Sequence, residues 1–93
     1  YNAPCTGEKY RDIAKAMGVE GTEKMTQEEY RKAAVDAVRQ LSEDVGIQST
    51  LKGVVKEEDL KALSESAFAD ACRPGNPRDT SVEEIEALYR SLM

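Results

Sequence analysis

The chain contains no histidine. That removes the commonest general base and the commonest metal ligand together. A Ser-His-Asp or Cys-His arrangement is therefore impossible within these residues. Tryptophan is also missing, phenylalanine occurs once, and aromatics make up 5% of 93 residues. The core must be built mostly from Ala, Leu, Val and Ile. Cysteine occurs twice, at Cys5 and Cys72. Two thiols this far apart make neither a disulfide scaffold nor a zinc motif. Both read as free thiols in a reducing cytoplasm. No run approaches the ~18 apolar residues of a membrane span. No Gly-x-Gly-x-x-Gly, P-loop or Asp-x-Asp-x-Asp-Gly calcium loop occurs, so no nucleotide or calcium site is announced. Basic charge is short as well: 13 Lys and Arg stand against 18 Asp and Glu, a net charge of −5. That balance argues against a nucleic-acid partner, which needs a basic footprint.

What remains is rich in Ala, Leu, Glu, Lys and Arg, the strong helix formers. Ninety-three residues make one domain or one piece of one. A chain of this size buries only about 60% of the surface its unfolded form exposes. The opening Tyr1-Asn2-Ala3-Pro4 reads as cut from something longer, the other reading being a trimmed small protein.

Taken in order, Tyr1 to Thr6 reads as an extended lead-in, because the residue before Pro4 is pushed out of the helical region. Thr6 or Gly7 could cap the next segment. A first helix over about 8–17 places Tyr10, Ile13, Ala14 and Met17 on one face, and Gly18 stands where a helix-ending glycine is expected. Val19 to Met25 reads as a loop. Thr26-Gln27-Glu28-Glu29 is a capping box that opens a helix over about 27–45. At ~1.5 Å per residue this helix spans about 28 Å. Tyr30, Ala34, Val38, Leu41 and Val45 stripe it, and Gly46 ends it. Ile47 to Val55 reads as a connector with one turn near Ser49 to Lys52. A third helix over about 57–72 starts on Glu57, Glu58 and Asp59, which suit the positive end of its dipole. Its inner face is expected to be Leu60, Leu63, Ala67 and Ala71, and Pro74 and Gly75 stop it. A last helix over about 82–92 can be capped by Thr80 or Ser81, each with a Glu three residues on. Val82, Ile85, Leu88, Tyr89 and Leu92 are its buried stripe. The fold class is all-α: a bundle of four main helices with short loops.

The polar features have plain structural readings. Gly18-Val19-Glu20-Gly21 matches the Gly-x-x-Gly of an RNA-binding loop, but it carries an acid in an acidic chain and reads as a helix stop and loop. The pairs Glu28/Glu29, Glu57/Glu58 and Glu83/Glu84 lie in first helical turns, where capping explains them. Tyr10, Tyr30 and Tyr89 lie at core spacing. Cys72 ends a helix beside a Pro/Gly turn; it reads either as a small buried hydrophobe or as a side chain facing a crevice.

The tail Ala71-Cys72-Arg73-Pro74-Gly75-Asn76-Pro77-Arg78, followed by Thr80/Ser81-x-x-Glu and Leu88-Tyr89, resembles the C-terminus of the iron-containing (group III) alcohol dehydrogenases, in particular their lactaldehyde reductase branch. Tyr1-Asn2, Thr6 to Ala14, Met17-Gly18-Val19 and Leu41 to Ile47 are similar to the same family, in order and with its spacing.

The resemblance implies that residues 1–93 are the C-terminal portion of an α-helical metal and substrate domain of the dehydroquinate-synthase-like type. The dinucleotide-binding domain and the metal-ligand segment would lie upstream. It implies NAD(P)-dependent interconversion of a short-chain alcohol or diol and an aldehyde, with a ferrous ion, or zinc in some members. The family's ligands are an Asp and three His, and none maps onto this chain; it is expected to hold no metal, no cofactor and no catalytic residue of its own. Cys72 matches a residue lining the substrate pocket. Asn76, Pro77 and Arg78 match a structural turn, with Arg78 expected to pair with a carboxylate or a helix C-terminus. Implied partners are the remainder of the same polypeptide, a small alcohol or aldehyde, and a second subunit in a homodimer, with no nucleic acid and no membrane. The competing expectation is a stand-alone helical interaction module without catalysis.

Overall fold

The computed structural model describes residues 1–93. It contains four α-helices and no strand: α1 (Lys9–Ala16), α2 (Gln27–Asp44), α3 (Leu60–Ala69) and α4 (Val82–Ser91). Short 3-10 turns stand at Ala3–Cys5, Thr22–Lys24, Glu57–Asp59 and Arg73–Gly75. No helix is long and apolar enough to cross a membrane. The chain divides into two units, Tyr1–Ile47 and Gln48–Met93, each built on one helix pair.

In the first unit α1 packs on α2. The capping box that opens α2 forms in full. Thr26 Oγ1 accepts from the Glu29 amide at 3.3 Å, and the Glu29 carboxylate accepts from the Thr26 amide at 3.2 Å. Both helices end in the same glycine-centred motif. After α1 the amides of Gly18 and Val19 donate back to Lys15 O and Ala14 O; after α2 those of Gly46 and Ile47 donate to Glu43 O and Ser42 O. This pattern needs a left-handed residue, and Gly18 and Gly46 supply it at φ +89° and +77°. Ala14, Tyr30 and Ala34 close the seam between the helices. Tyr10 and Met17 are half-buried, whereas Ile13 is exposed despite its place on the expected inner face.

The lead-in is not extended. Ala3–Cys5 forms a 3-10 turn, and Thr6 is buried with its hydroxyl donating to Ala3 O at 2.8 Å. Thr6 therefore caps nothing; Glu8 is the residue that precedes α1, without a side-chain cap. Thr22–Lys24 likewise coils inside the segment expected to be a plain loop, after Gly21 at φ +74°.

In the second unit α3 packs on α4. The choice between Thr80 and Ser81 falls to Ser81, whose hydroxyl accepts from the Glu84 amide at 3.2 Å in a second complete capping box. Glu57 and Glu86 both pair with Arg90, which holds its guanidinium above its usual pKa, the hydrogen bond that Arg90 donates to Glu86 contributing most. The connector turns at Leu51 to Val55, not at Ser49 to Lys52, and the Leu51 amide donates to Leu92 O at 2.8 Å.

Two expectations for the third helix fail. The α-helix ends at Ala69, three residues before Cys72, because Asp70 goes extended at ψ 133°. Its buried face is Leu60 and Ser64, with Ala67 half-buried; Leu63 is 37% exposed and Ala71 lies outside the helix. A serine can hold a core position here because its hydroxyl donates to Leu60 O at 2.6 Å, one helical turn back, and so is satisfied locally. On α4, Val82, Ile85 and Tyr89 are half-buried, and Leu88 and Leu92 are exposed.

Candidate functional site

The segment from Asp70 to Ser81 joins α3 to α4 and carries Cys72 and the Asn76-Pro77-Arg78 turn. Its shape is set by three side chains acting on the backbone. Asp70 Oδ1 accepts from the Cys72 amide at 2.7 Å, the local turn that Asp favours two residues on. Arg73 Nε donates to Phe68 O at 2.6 Å, taking one of the carbonyls left open at the end of α3. The Arg73 guanidinium also lies 4.2 Å from the centre of the Phe68 ring. Asn76 Nδ2 donates to Arg78 O at 2.6 Å. Backbone bonds from Gly75 to Cys72 O (3.0 Å) and from Asn76 to Arg73 O (2.9 Å) complete the turn.

Cys72 is held at the start of this turn as a free, exposed thiol. The structure brings Cys72, Asn76, Pro77 and Arg78 into one connection. Asn76 and Arg78 are half-buried, while Cys72 and Pro77 are exposed. Asn76 acts on the backbone of Arg78.

Asp70, Arg73 and Phe68 do not stand out in the sequence, although they shape the turn. Asp70 has a readable signal in its two-residue spacing to Cys72. The Arg73–Phe68 contact has none, since a five-residue separation fits no regular helical pair.

A second polar cluster lies in the first unit. Gly7 O accepts from Gln27 Nε2 (3.2 Å), Tyr30 Oη (3.3 Å) and Arg31 Nη2 (2.9 Å), and the Arg11 guanidinium lies 4.8 Å from the centre of the Tyr30 ring. These groups fix the lead-in to the start of α2. The Nε atoms of Arg11 and Arg31 are buried there without a hydrogen-bond partner.

No group of three or more Cys, Asp or Glu side chains is placed to hold a metal ion. With histidine missing from the chain, the donor set does not fit an iron or zinc site. What the arrangement offers is a thiol of modest polarity on a braced turn, suited to lining a surface.

The profile described as "Fe-containing alcohol dehydrogenase family, C-terminal" matches residues 1–93. The chain belongs to the iron-containing alcohol dehydrogenase family. It is 52% identical to the lactaldehyde reductase of Escherichia coli K12 over 92 residues, which are 98% of this chain and 24% of that protein. It is 35% identical to the 1,3-propanediol dehydrogenase of Citrobacter freundii over 91 residues, 97% of this chain and 23% of the relative. It is 36% identical to the choline dehydrogenase of Bacillus subtilis over 90 residues, 97% of this chain and 22% of the relative. The chain thus spans about a quarter of the length of the curated relatives it matches. Its relatives are alcohol and diol dehydrogenases, and its four helices match the all-α character expected of the family's C-terminal part.

Proposed function

We propose that this chain is the C-terminal portion of the helical domain of a cytoplasmic oxidoreductase that interconverts a short-chain alcohol or diol and an aldehyde. The observation that carries the reading is 52% identity to a lactaldehyde reductase across 98% of the chain. A nicotinamide bound elsewhere in the polypeptide would accept the hydride of the carbinol carbon, and a ferrous ion, or zinc, would polarise the alcohol oxygen. The metal is held by residues outside this chain, because the donor set within it does not fit one. The working enzyme is a homodimer of the complete polypeptide.

The part played by these 93 residues is to wall the substrate crevice. Cys72 lines that wall. Its exposure and the bracing of its amide by Asp70 support the assignment. Asn76, Pro77 and Arg78 hold the turn that carries it and do not touch substrate.

The test is an assay of the complete polypeptide, loaded with ferrous ion, for NADH-dependent reduction of lactaldehyde. Turnover by the complete polypeptide and none by residues 1–93 is expected. Failure of the loaded polypeptide to turn over lactaldehyde or any short alcohol or diol would overturn the reading. Cys72→Val in the active protein should shift KM for the diol more than kcat, as expected for a lining side chain.

A further inference from the structure

The turn that carries Cys72 is internally stiff. Pro74 fixes one backbone angle of the Arg73–Gly75 turn. The amides of Gly75 and Asn76 close that turn onto Cys72 O and Arg73 O. Asp70 and Asn76 each act on a residue two positions along the same segment. Between this turn and α3 stands Asp70, extended at ψ 133°, where the helical ladder ends. A stiff piece beyond such a break can swing about it unless a side chain reaches across.

Arg73 reaches across. Its Nε donates to Phe68 O, five residues back and inside α3, at 2.6 Å. The same guanidinium lies 4.2 Å from the centre of the Phe68 ring. Both residues are half-buried. A hydrogen bond from a charged donor is roughly twice as strong as a neutral one. The ring contact falls inside the ~6 Å reach of a cation–π interaction. One planar group thus holds both the carbonyl and the ring of one residue, which the point charge of a lysine cannot do.

We infer that Arg73 is a positioning residue for substrate size: by tying the turn to Phe68, it fixes how far the Cys72 thiol stands into the crevice. The inference rests on the reading that Cys72 lines the crevice wall. Arg73 itself touches no substrate. With the strut in place the wall is fixed, a short diol is held closely and a longer one is excluded. Without the strut the turn swings about Asp70 and the wall recedes.

The test is made in the complete polypeptide loaded with ferrous ion, with 1,2-propanediol and 1,2-hexanediol as substrates. Arg73→Lys keeps the charge and the aliphatic stem and so preserves folding; Arg73→Ala removes both. Each should raise KM for 1,2-propanediol about fivefold or more, keep kcat within about twofold, and weaken the preference for the short diol by a similar factor. In a Cys72→Val background the same substitutions should change KM by less than about twofold, because the side chain they position is gone. An unchanged KM in Arg73→Lys would overturn the inference, since charge alone would then suffice. A KM rise of the same size in the Cys72→Val background would overturn it too. So would a parallel fall in kcat and Tm, which marks a general loss of structure. Cys72→Val alone separates the two readings. If it shifts KM while Arg73→Lys does not, this inference alone falls. If it shifts nothing in a polypeptide that turns the diol over, the crevice reading falls and this inference with it.

Discussion

The two helix pairs start alike and finish differently. Each second helix opens with a complete capping box, Thr26 with Glu29 and Ser81 with Glu84. Each pair also keeps one exposed thiol, Cys5 in the first and Cys72 in the second. The first pair puts its hydrogen-bonding capacity into fixing the lead-in, with three donors on Gly7 O, and leaves the far half of α2 bare. The second pair spends its side chains on the connection between its helices, through Asp70, Arg73 and Asn76. Equal local rules thus leave an exposed apolar stripe on one unit and a braced turn in the other. What the polar side chains grip decides which.

The largest expected effect tests whether the first pair depends on the closed half of α2. Tyr30 is fully buried and its hydroxyl holds Gly7. Tyr30→Ala should cost about 3–5 kcal/mol, from lost burial and the cavity left behind. Chemical denaturation followed through amide exchange in α1 and α2 measures it. A loss under ~1 kcal/mol would show that the closed half is no more decisive than the bare one.

Next in size are the two caps, which sharpen the likeness between the pairs. Thr26→Ala and Ser81→Ala should each cost about 1 kcal/mol, within a range of about 0.5–2. Their values should agree closely, since both boxes are complete and exposed. Urea midpoints of the two variants provide the comparison, and a twofold difference would mean the local rule is not shared after all.

The smallest effect is electrostatic. Lys32 donates to Asp36 on the exposed face of α2, and this hydrogen bond, more than the charge of Lys32 or Arg39, holds the Asp36 carboxyl below its ordinary pKa of 3.8. A depressed folded pKa contributes stability above the unfolded value. That contribution is full well above 3.8 and is lost progressively as pH falls through 3.8 towards the lower folded value. Because the pair is exposed, its worth is small and falls with salt. Asp36→Asn should flatten the acid limb of the pH–stability curve slightly at low ionic strength and leave it unchanged in about 1 M salt.

Much of this was legible in the residues. Helix positions followed from apolar spacing, and the Thr26 box and the two terminating glycines fixed ends that depend only on neighbouring residues. What was not legible depended on side chains reaching back onto backbone. Thr6 has the residue type of a cap and instead bends the lead-in. Ser64 displaces Leu63 from the buried face because its hydroxyl is satisfied within its own helix. Asp70 ends α3 early by turning the chain toward Cys72. Of the candidate site, Cys72 and the Asn76-Pro77-Arg78 turn were visible through resemblance. The Arg73 brace was not, because its partner is a carbonyl that leaves no trace in residue type, and Asp70 was readable only as a turn former two residues before Cys72.

The claim that the second pair walls a substrate crevice is open to one direct measurement. In the complete polypeptide, Cys5 and Cys72 can be labelled with a maleimide and read separately by peptide mass, with and without a saturating short-chain diol. Diol should slow labelling at Cys72 and leave the Cys5 rate unchanged. A Cys72 rate indifferent to diol, in a polypeptide that turns the same diol over, would mean that this thiol does not line the crevice.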